Sequence, residues 1–174
     1  TLSQSKRGRK TLQYILNVDP EKCTGCRLCE VMCSFHHERE FNPTLSRIRI
    51  AKDEELGVDI PIVCMHCTDA PCISVCSVNA LSKEKDTGAV ILSSQRCIGC
   101  RACMIVCPYS AIFMHPTKRI ILKCDLCNGN PVCAKHCTSN ALEYIRIDKL
   151  GALKRKELSK KIQPYTMAKT VIPD

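Results

Sequence analysis

Cys97-Ile98-Gly99-Cys100-Arg101-Ala102-Cys103-Met104-Ile105-Val106-Cys107-Pro108 is the stretch on which the reading of this chain depends. Its cysteine spacing is that of the run that surrounds a cubane iron–sulfur cluster with three sulfurs and lends a fourth to a neighbouring cluster. A backbone curled through three closely spaced cysteines turns its amides toward the sulfides and offsets their negative charge. Gly99 sits inside the curl, where a positive φ is required. Cys107 follows Cys103 by four residues, about one helical turn, so it points away from its own loop.

Three further groups flank this one: Cys23, Cys26, Cys29 and Cys33; Cys64, Cys67, Cys72 and Cys76; and Cys124, Cys127, Cys133 and Cys137. They use all sixteen cysteines of the 174-residue chain and predict four [4Fe–4S] clusters. The first group, with Gly25 and Arg27, repeats the third, with Gly99 and Arg101. The second and fourth share another design, with a longer, proline-bearing insert before the third cysteine, Thr68 to Pro71 and Asn128 to Val132. The order A, B, A, B reads as a duplicated two-motif unit.

Other uses of cysteine fit less well. Zinc ribbons need four ligands per tetrahedral ion and have no use for the recurrent third and fourth cysteine. A disulfide framework suits small secreted chains, whereas these thiols are closely clustered and the sequence offers no apolar leader. The formal charge of +9 counts cysteine as neutral. Sixteen thiolates around four oxidised cores of about +2 each contribute about −8, leaving the holoprotein near +1. That weakens a nucleic-acid reading, as does the lack of aromatics interleaved with a basic stripe. No apolar run is long enough to span a bilayer. Seven aromatics, none of them Trp, leave the clusters to fill volume that bulky side chains fill elsewhere.

Between the groups, short strands are expected at Tyr14 to Val18, Ala89 to Leu92 and Arg119 to Leu122, each leading into a cluster loop, and at Ala80-Leu81, Ala111-Ile112 and Ala141-Leu142, each following one. Basic residues collect at both ends, in Lys6 to Lys10 and from Lys149 to Lys161. Weak helical periodicity through Leu150, Leu153, Leu158 and Ile162 makes the second run a candidate packing arm.

The chain resembles the ferredoxin-type electron-transfer subunits that carry four cubane clusters beside molybdopterin or tungstopterin oxidoreductases, hydrogenases and carbon monoxide dehydrogenases. The match covers residues 12 to 147. Cys33-Ser34-Phe35-His36-His37-Glu38, with Phe41-Asn42-Pro43 and Ser46-Arg47-Ile48, is most similar to the small subunits beside tungsten enzymes of the aldehyde oxidoreductase family, which includes class II benzoyl-CoA reductases. The resemblance implies an α+β protein of two bacterial-ferredoxin-like 2[4Fe–4S] folds. It further implies four ligand sets: Cys23, Cys26, Cys29 with Cys137; Cys124, Cys127, Cys133 with Cys33; Cys64, Cys67, Cys72 with Cys107; and Cys97, Cys100, Cys103 with Cys76. Spacing alone admits pairing of groups one with two and three with four, although the 20-residue gap before Cys97, with a hairpin turn at Asp86-Thr87-Gly88, favours two with three.

The expected organisation is a basic arm at 1–11, an outer ferredoxin-like fold from 12–50 plus 118–147, an inner one at 51–117, and a basic docking tail at 148–174. The expected function is a non-catalytic relay to or from a catalytic tungsto- or molybdopterin subunit, with further redox subunits or a soluble ferredoxin as additional partners. The alternative is a free polyferredoxin, or an electron carrier or maturation factor for hydrogenase or carbon monoxide dehydrogenase. A zinc-dependent nucleic-acid module is a third reading. The chain shows no dinucleotide-binding loop, P-loop or nucleophile elbow. Lys6 to Lys10 followed by Thr11-Leu12-Gln13 offers no twin-arginine export motif, so the cytoplasm is the expected compartment. His36, His37 and His66 are candidates for tuning nearby clusters, His66 if protonated. Arg27 and Arg101 would either balance cluster charge or cover the surface. Only Cys107 is followed by proline, so looser geometry is expected after Cys33, Cys76 and Cys137.

Overall fold

A computed structural model describes residues 14–167. The basic arm at 1–11 and the last residues of the C-terminal tail, 168–174, lie outside the described residues. In chain order the elements are β1 (Tyr14–Val18), α1 (Leu28–Glu38), β2 (Arg49–Asp53), β3 (Val58–Ile62), α2 (Pro71–Ser74), β4 (Leu81–Lys83), β5 (Val90–Leu92), α3 (Ala102–Ile105), β6 (Ile112–Met114), β7 (Ile121–Lys123), α4 (Val132–Lys135), β8 (Leu142–Arg146) and α5 (Ile147–Met167). The α+β class that the resemblance implies is the one observed.

Four two-stranded antiparallel ribbons make up the sheet structure, β1 with β8, β2 with β3, β4 with β5 and β6 with β7. The first joins the two ends of the cysteine-bearing region: Leu16 faces Tyr144 in register, and Tyr14 stacks on Tyr144 at 5.0 Å. The six strands expected beside the cluster loops are present, trimmed at most by two residues where β5 and β7 begin. The β2–β3 hairpin is an addition that the apolar pattern did not signal.

Repetition is visible in the turns. Helices α1 and α3 are entered through Arg27 and Arg101, both in the left-handed region at φ 59° and 67°. Helices α2 and α4 are entered through extended Ala70 and Pro131, so the two sequence designs are two ways into a helix. After the second, third and fourth groups the chain turns at left-handed Asn79, Ser110 and Asn140, whose amides bond the carbonyls of Cys76, Cys107 and Cys137.

Pro108 is not what ends the ligand helices. Helices α2 and α4 are as short as α3 although Ser77 and Thr138 follow their last cysteines. After the first group the helix continues through Cys33 to Glu38 and closes on left-handed Arg39, whose N–H bonds Phe35 O. One helix is longer, and the other two stop on their own turns.

Buried apolar residues form two clusters. One contains Leu16, Ile48, Leu126 and Leu142 with Cys29, Cys33 and Cys133. The other contains Leu81, Val90, Ile112 and Ile121 with Cys72 and Cys103. Arg49, on β2, lies 4.5 Å over the Phe113 ring on β6 and ties the hairpin to the second cluster's side of the molecule.

Candidate metal centres

Each cysteine loop is shaped by a left-handed residue two positions after its first cysteine: Gly25 (φ 63°), His66 (46°), Gly99 (67°) and Leu126 (58°). Glycine adopts this conformation without strain, and a residue with a Cβ pays about 1–2 kcal/mol for it. His66 and Leu126 are both wholly buried, and their packing offsets that strain.

The loops surround small hollows. One is lined by Cys64, Cys67, Cys72 and Cys107. A second is lined by Cys76, Cys97, Cys100 and Cys103. A third is lined by Cys23, Cys26, Cys29 and Cys137. In each, three sulfurs come from one group and the fourth from another. The remaining four cysteines meet where α1 packs on α4: Cys33 is close enough to Cys127 and Cys133 to raise both their thiol pKa values, and Cys133 does the same to Cys124.

Thiols of successive sets are also close enough to raise one another's pKa: Cys29 acts on Cys133, Cys64 on Cys124 and Cys72 on Cys103. The sets therefore follow one another in a row that does not match their order in sequence. The set built on Cys23 lies beside that built on Cys124, next comes the set built on Cys64, and the set built on Cys97 is last.

The donor chemistry fits iron–sulfur clusters. All sixteen cysteines are free of disulfides. Burial pushes several of their thiols up, to about 12 for Cys29 and about 11 for Cys103 and Cys127, and well above the usual range for Cys124. A buried site that penalises a bare thiolate is one in which a cationic core must supply the compensation. Backbone amides reach several sulfurs: Arg47 N donates to Cys33 at 3.4 Å, Ala80 N to Cys76 at 3.2 Å and Leu126 N to Cys124 at 3.4 Å.

The other residues singled out from sequence take varied places. His66 accepts a hydrogen bond from Val90 N at Nδ1, 2.9 Å, and burial, then the ammonium groups of Lys123 and Lys83, lower its pKa to about 3. Its buried ring thus accepts a backbone hydrogen bond at Nδ1 within the Cys64–Cys67 loop. His37 lies with Nε2 3.7 Å from Cys127 Sγ, and burial followed by Arg47 lowers its pKa to about 4. His36 is exposed. Arg27 pairs with buried Glu30 at 2.6 Å, and Arg101 is exposed on the surface.

One residue was missed. Lys123 is 3% exposed, and its ammonium reaches Cys64 Sγ at 3.1 Å. The available signal was a lysine extending the apolar run Ile120-Ile121-Leu122 directly into Cys124, a place where a solvated charge does not belong.

Loops of this shape, with cysteines in fours around buried hollows, define a ferredoxin-like protein that binds [4Fe–4S] clusters. Residues 55–147 match the 4Fe-4S dicluster domain and residues 16–36 the 4Fe-4S binding domain, and the chain belongs to the 4Fe-4S dicluster family. It is 42% identical to the aliphatic sulfonate oxidoreductase, polyferredoxin-like subunit, of Pyrococcus furiosus over 75% of each protein. It is 34% identical to the electron transport protein HydN of Escherichia coli, over 79% of this chain and 93% of the relative. Among solved structures, a polypeptide of the active site complex BamBC of benzoyl coenzyme A reductase in complex with zinc is similar, with 30% identity and a TM-score of 0.50 over 93% of this chain and 99% of that one. The chain is an iron–sulfur electron-transfer subunit of the kind that serves oxidoreductases, and it is not itself catalytic. Among the described residues no helix is long and apolar enough to cross a membrane.

Proposed function

We propose that this subunit relays electrons through four [4Fe–4S] clusters to or from a tungsto- or molybdopterin subunit of the aldehyde oxidoreductase or benzoyl-CoA reductase type. The ligand sets are Cys23, Cys26, Cys29 and Cys137; Cys33, Cys124, Cys127 and Cys133; Cys64, Cys67, Cys72 and Cys107; and Cys76, Cys97, Cys100 and Cys103. When bound, such clusters accept and release single electrons. The observation that carries the reading is the continuous row of cysteine sets, each completed by a sulfur from another group.

The chain's own residues hold and insulate that row. The buried cysteines keep their sulfurs from water, and backbone amides from Arg47, Ala80 and Leu126 bond the sulfurs of Cys33, Cys76 and Cys124. The two apolar clusters support a division into an outer unit, 12–50 with 118–147, and an inner unit, 51–117, the ribbons β2–β3 and β6–β7 crossing between them. The basic helix α5 and the tail beyond it dock on the partner. Likeness to a polypeptide of the benzoyl coenzyme A reductase complex favours that class of partner, with the cytoplasm as its compartment.

The test is anaerobic co-expression with the product of the neighbouring gene, followed by metal analysis of the purified complex. About 16 Fe per chain is expected, with tungsten or molybdenum co-eluting in the partner. A stable holoprotein that elutes alone would overturn the subunit assignment in favour of a free polyferredoxin. Zinc in place of iron would overturn the cluster assignment.

A further inference from the structure

We propose that Lys123 is a fixed positive charge that raises the reduction potential of the centre held by Cys64, Cys67, Cys72 and Cys107, and so sets the energy of the step between the two halves of the row. The inference rests on the ligand sets proposed above.

A buried lysine needs a reason. Taking an ammonium out of water costs several kcal/mol unless it is paired and hydrogen-bonded, and among the described residues no carboxylate forms an ion pair with Lys123. Its three protons have three acceptors instead: Val90 O at 2.7 Å, Cys64 Sγ at 3.1 Å and Cys124 O at 3.3 Å. Two of these are neutral carbonyls, so the sulfur is the only bonded partner able to carry countercharge. Val90, on β5, and Cys124, directly after β7, hold the ammonium from two sides, which makes it a rigid element of the site.

Position gives this charge its consequence. Cys64 and Cys124 belong to different sets, one in each half, and both lie within hydrogen-bond reach of the Lys123 ammonium. Lys123 touches both residues, donating to the sulfur of the first and to the carbonyl of the second. The sulfurs of Cys33, Cys76 and Cys124 receive hydrogen bonds from neutral backbone amides, whereas among the described residues only that of Cys64 receives one from an ammonium. A charged donor stabilises negative charge on sulfur more than a neutral one does. Adding one electron increases that negative charge, so the reduced state gains more than the oxidised one and the potential rises. Lys123 makes or breaks no covalent bond in the process.

The experiment is an EPR-monitored redox titration of the anaerobic holoprotein, comparing wild type with Lys123→Met, which keeps the length and removes the charge. Iron content should match wild type. One centre should become about tenfold harder to reduce, or more, a fall of about 59 mV for one electron, larger than the shift of any other centre. That centre should be the one missing from Cys64→Ala. Should Lys123→Met lose iron, Lys123→Gln is titrated in its place, with a fall in the same centre expected. Unchanged potentials, or an equal shift in all centres, would overturn the role of Lys123 while leaving the ligand sets intact. A Cys64→Ala protein that retains every cluster would overturn the ligand sets themselves.

Discussion

Gly99 shows how much a single residue controls in a loop of this kind. Its φ of 67° lies in the left-handed region, and a Cβ built on it would stand 2.5 Å from the carbonyl oxygen of Arg119, a backbone atom with little freedom to retreat. Gly99→Ala should therefore cost at least about 2 kcal/mol, combining conformational strain with collision. It should deplete the centre at Cys97, Cys100, Cys103 and Cys76 in preference to the others, which a thermal melt and an iron count on the purified holoprotein would check. A variant with full iron and an unchanged melt would show that the loop does not need its glycine. The cysteines and both A-type glycines were legible in sequence because each announces a chemical or conformational need by its identity. The left-handed turns at His66 and Leu126 were not, since a side chain placed there by burial leaves no local mark. Lys123 was missed because a lysine before a cysteine reads as surface until the strand carrying it is seen to be buried throughout.

At the scale of elements, what holds the outer half together is a ribbon made from the two ends of the cysteine-bearing region. Leu16 is 1% exposed at the centre of β1, packed with Cys29, Cys33 and Leu142. Truncating a buried leucine costs about 2–5 kcal/mol through lost burial and the cavity left behind. Leu16→Ala should thus lower the melting temperature and release iron from the sets built on Cys23 and Cys124 before the sets built on Cys64 and Cys97. Chemical unfolding followed by cluster-resolved EPR would reveal the order, and simultaneous loss of all signals would contradict it. β1 itself was readable because an apolar run ends in the turn chemistry of Asp19-Pro20. The β2–β3 hairpin was not: Arg49, Lys52, Asp53 and Asp59 punctuate it, Pro61 lies within β3, and much of it faces solvent, so the usual apolar alternation is broken. The length of α1 was hidden for another reason. The first and third groups share their cysteines, the glycine and the arginine at the same spacing, and that shared spacing says nothing of how far the helix runs past the last cysteine.

Across the cysteine-bearing region, no element is large enough to be stable alone. Three of the five helices have four residues, and four strands have three; helices this short and isolated two-stranded ribbons are not self-sustaining in water. Nor does the apolar core compensate. Of the 23 buried apolar residues among those described, 11 are Cys or Ala, and none is aromatic. Twelve cysteines line three hollows beside the two apolar clusters, so removing what fills the hollows takes packing away from both clusters at once. Typical native stability is only about 5–15 kcal/mol, which leaves no margin for losing the centre of the core. Cluster binding and folding should therefore be one event. Stripping iron with a chelator under anaerobic, thiol-reducing conditions should abolish the far-UV circular dichroism in step with the visible cluster absorption, and the signal should return only when iron and sulfide are supplied. An apoprotein that kept its secondary structure and melted cooperatively would mean that polypeptide packing alone carries the fold, against the balance of small side chains and short elements seen here.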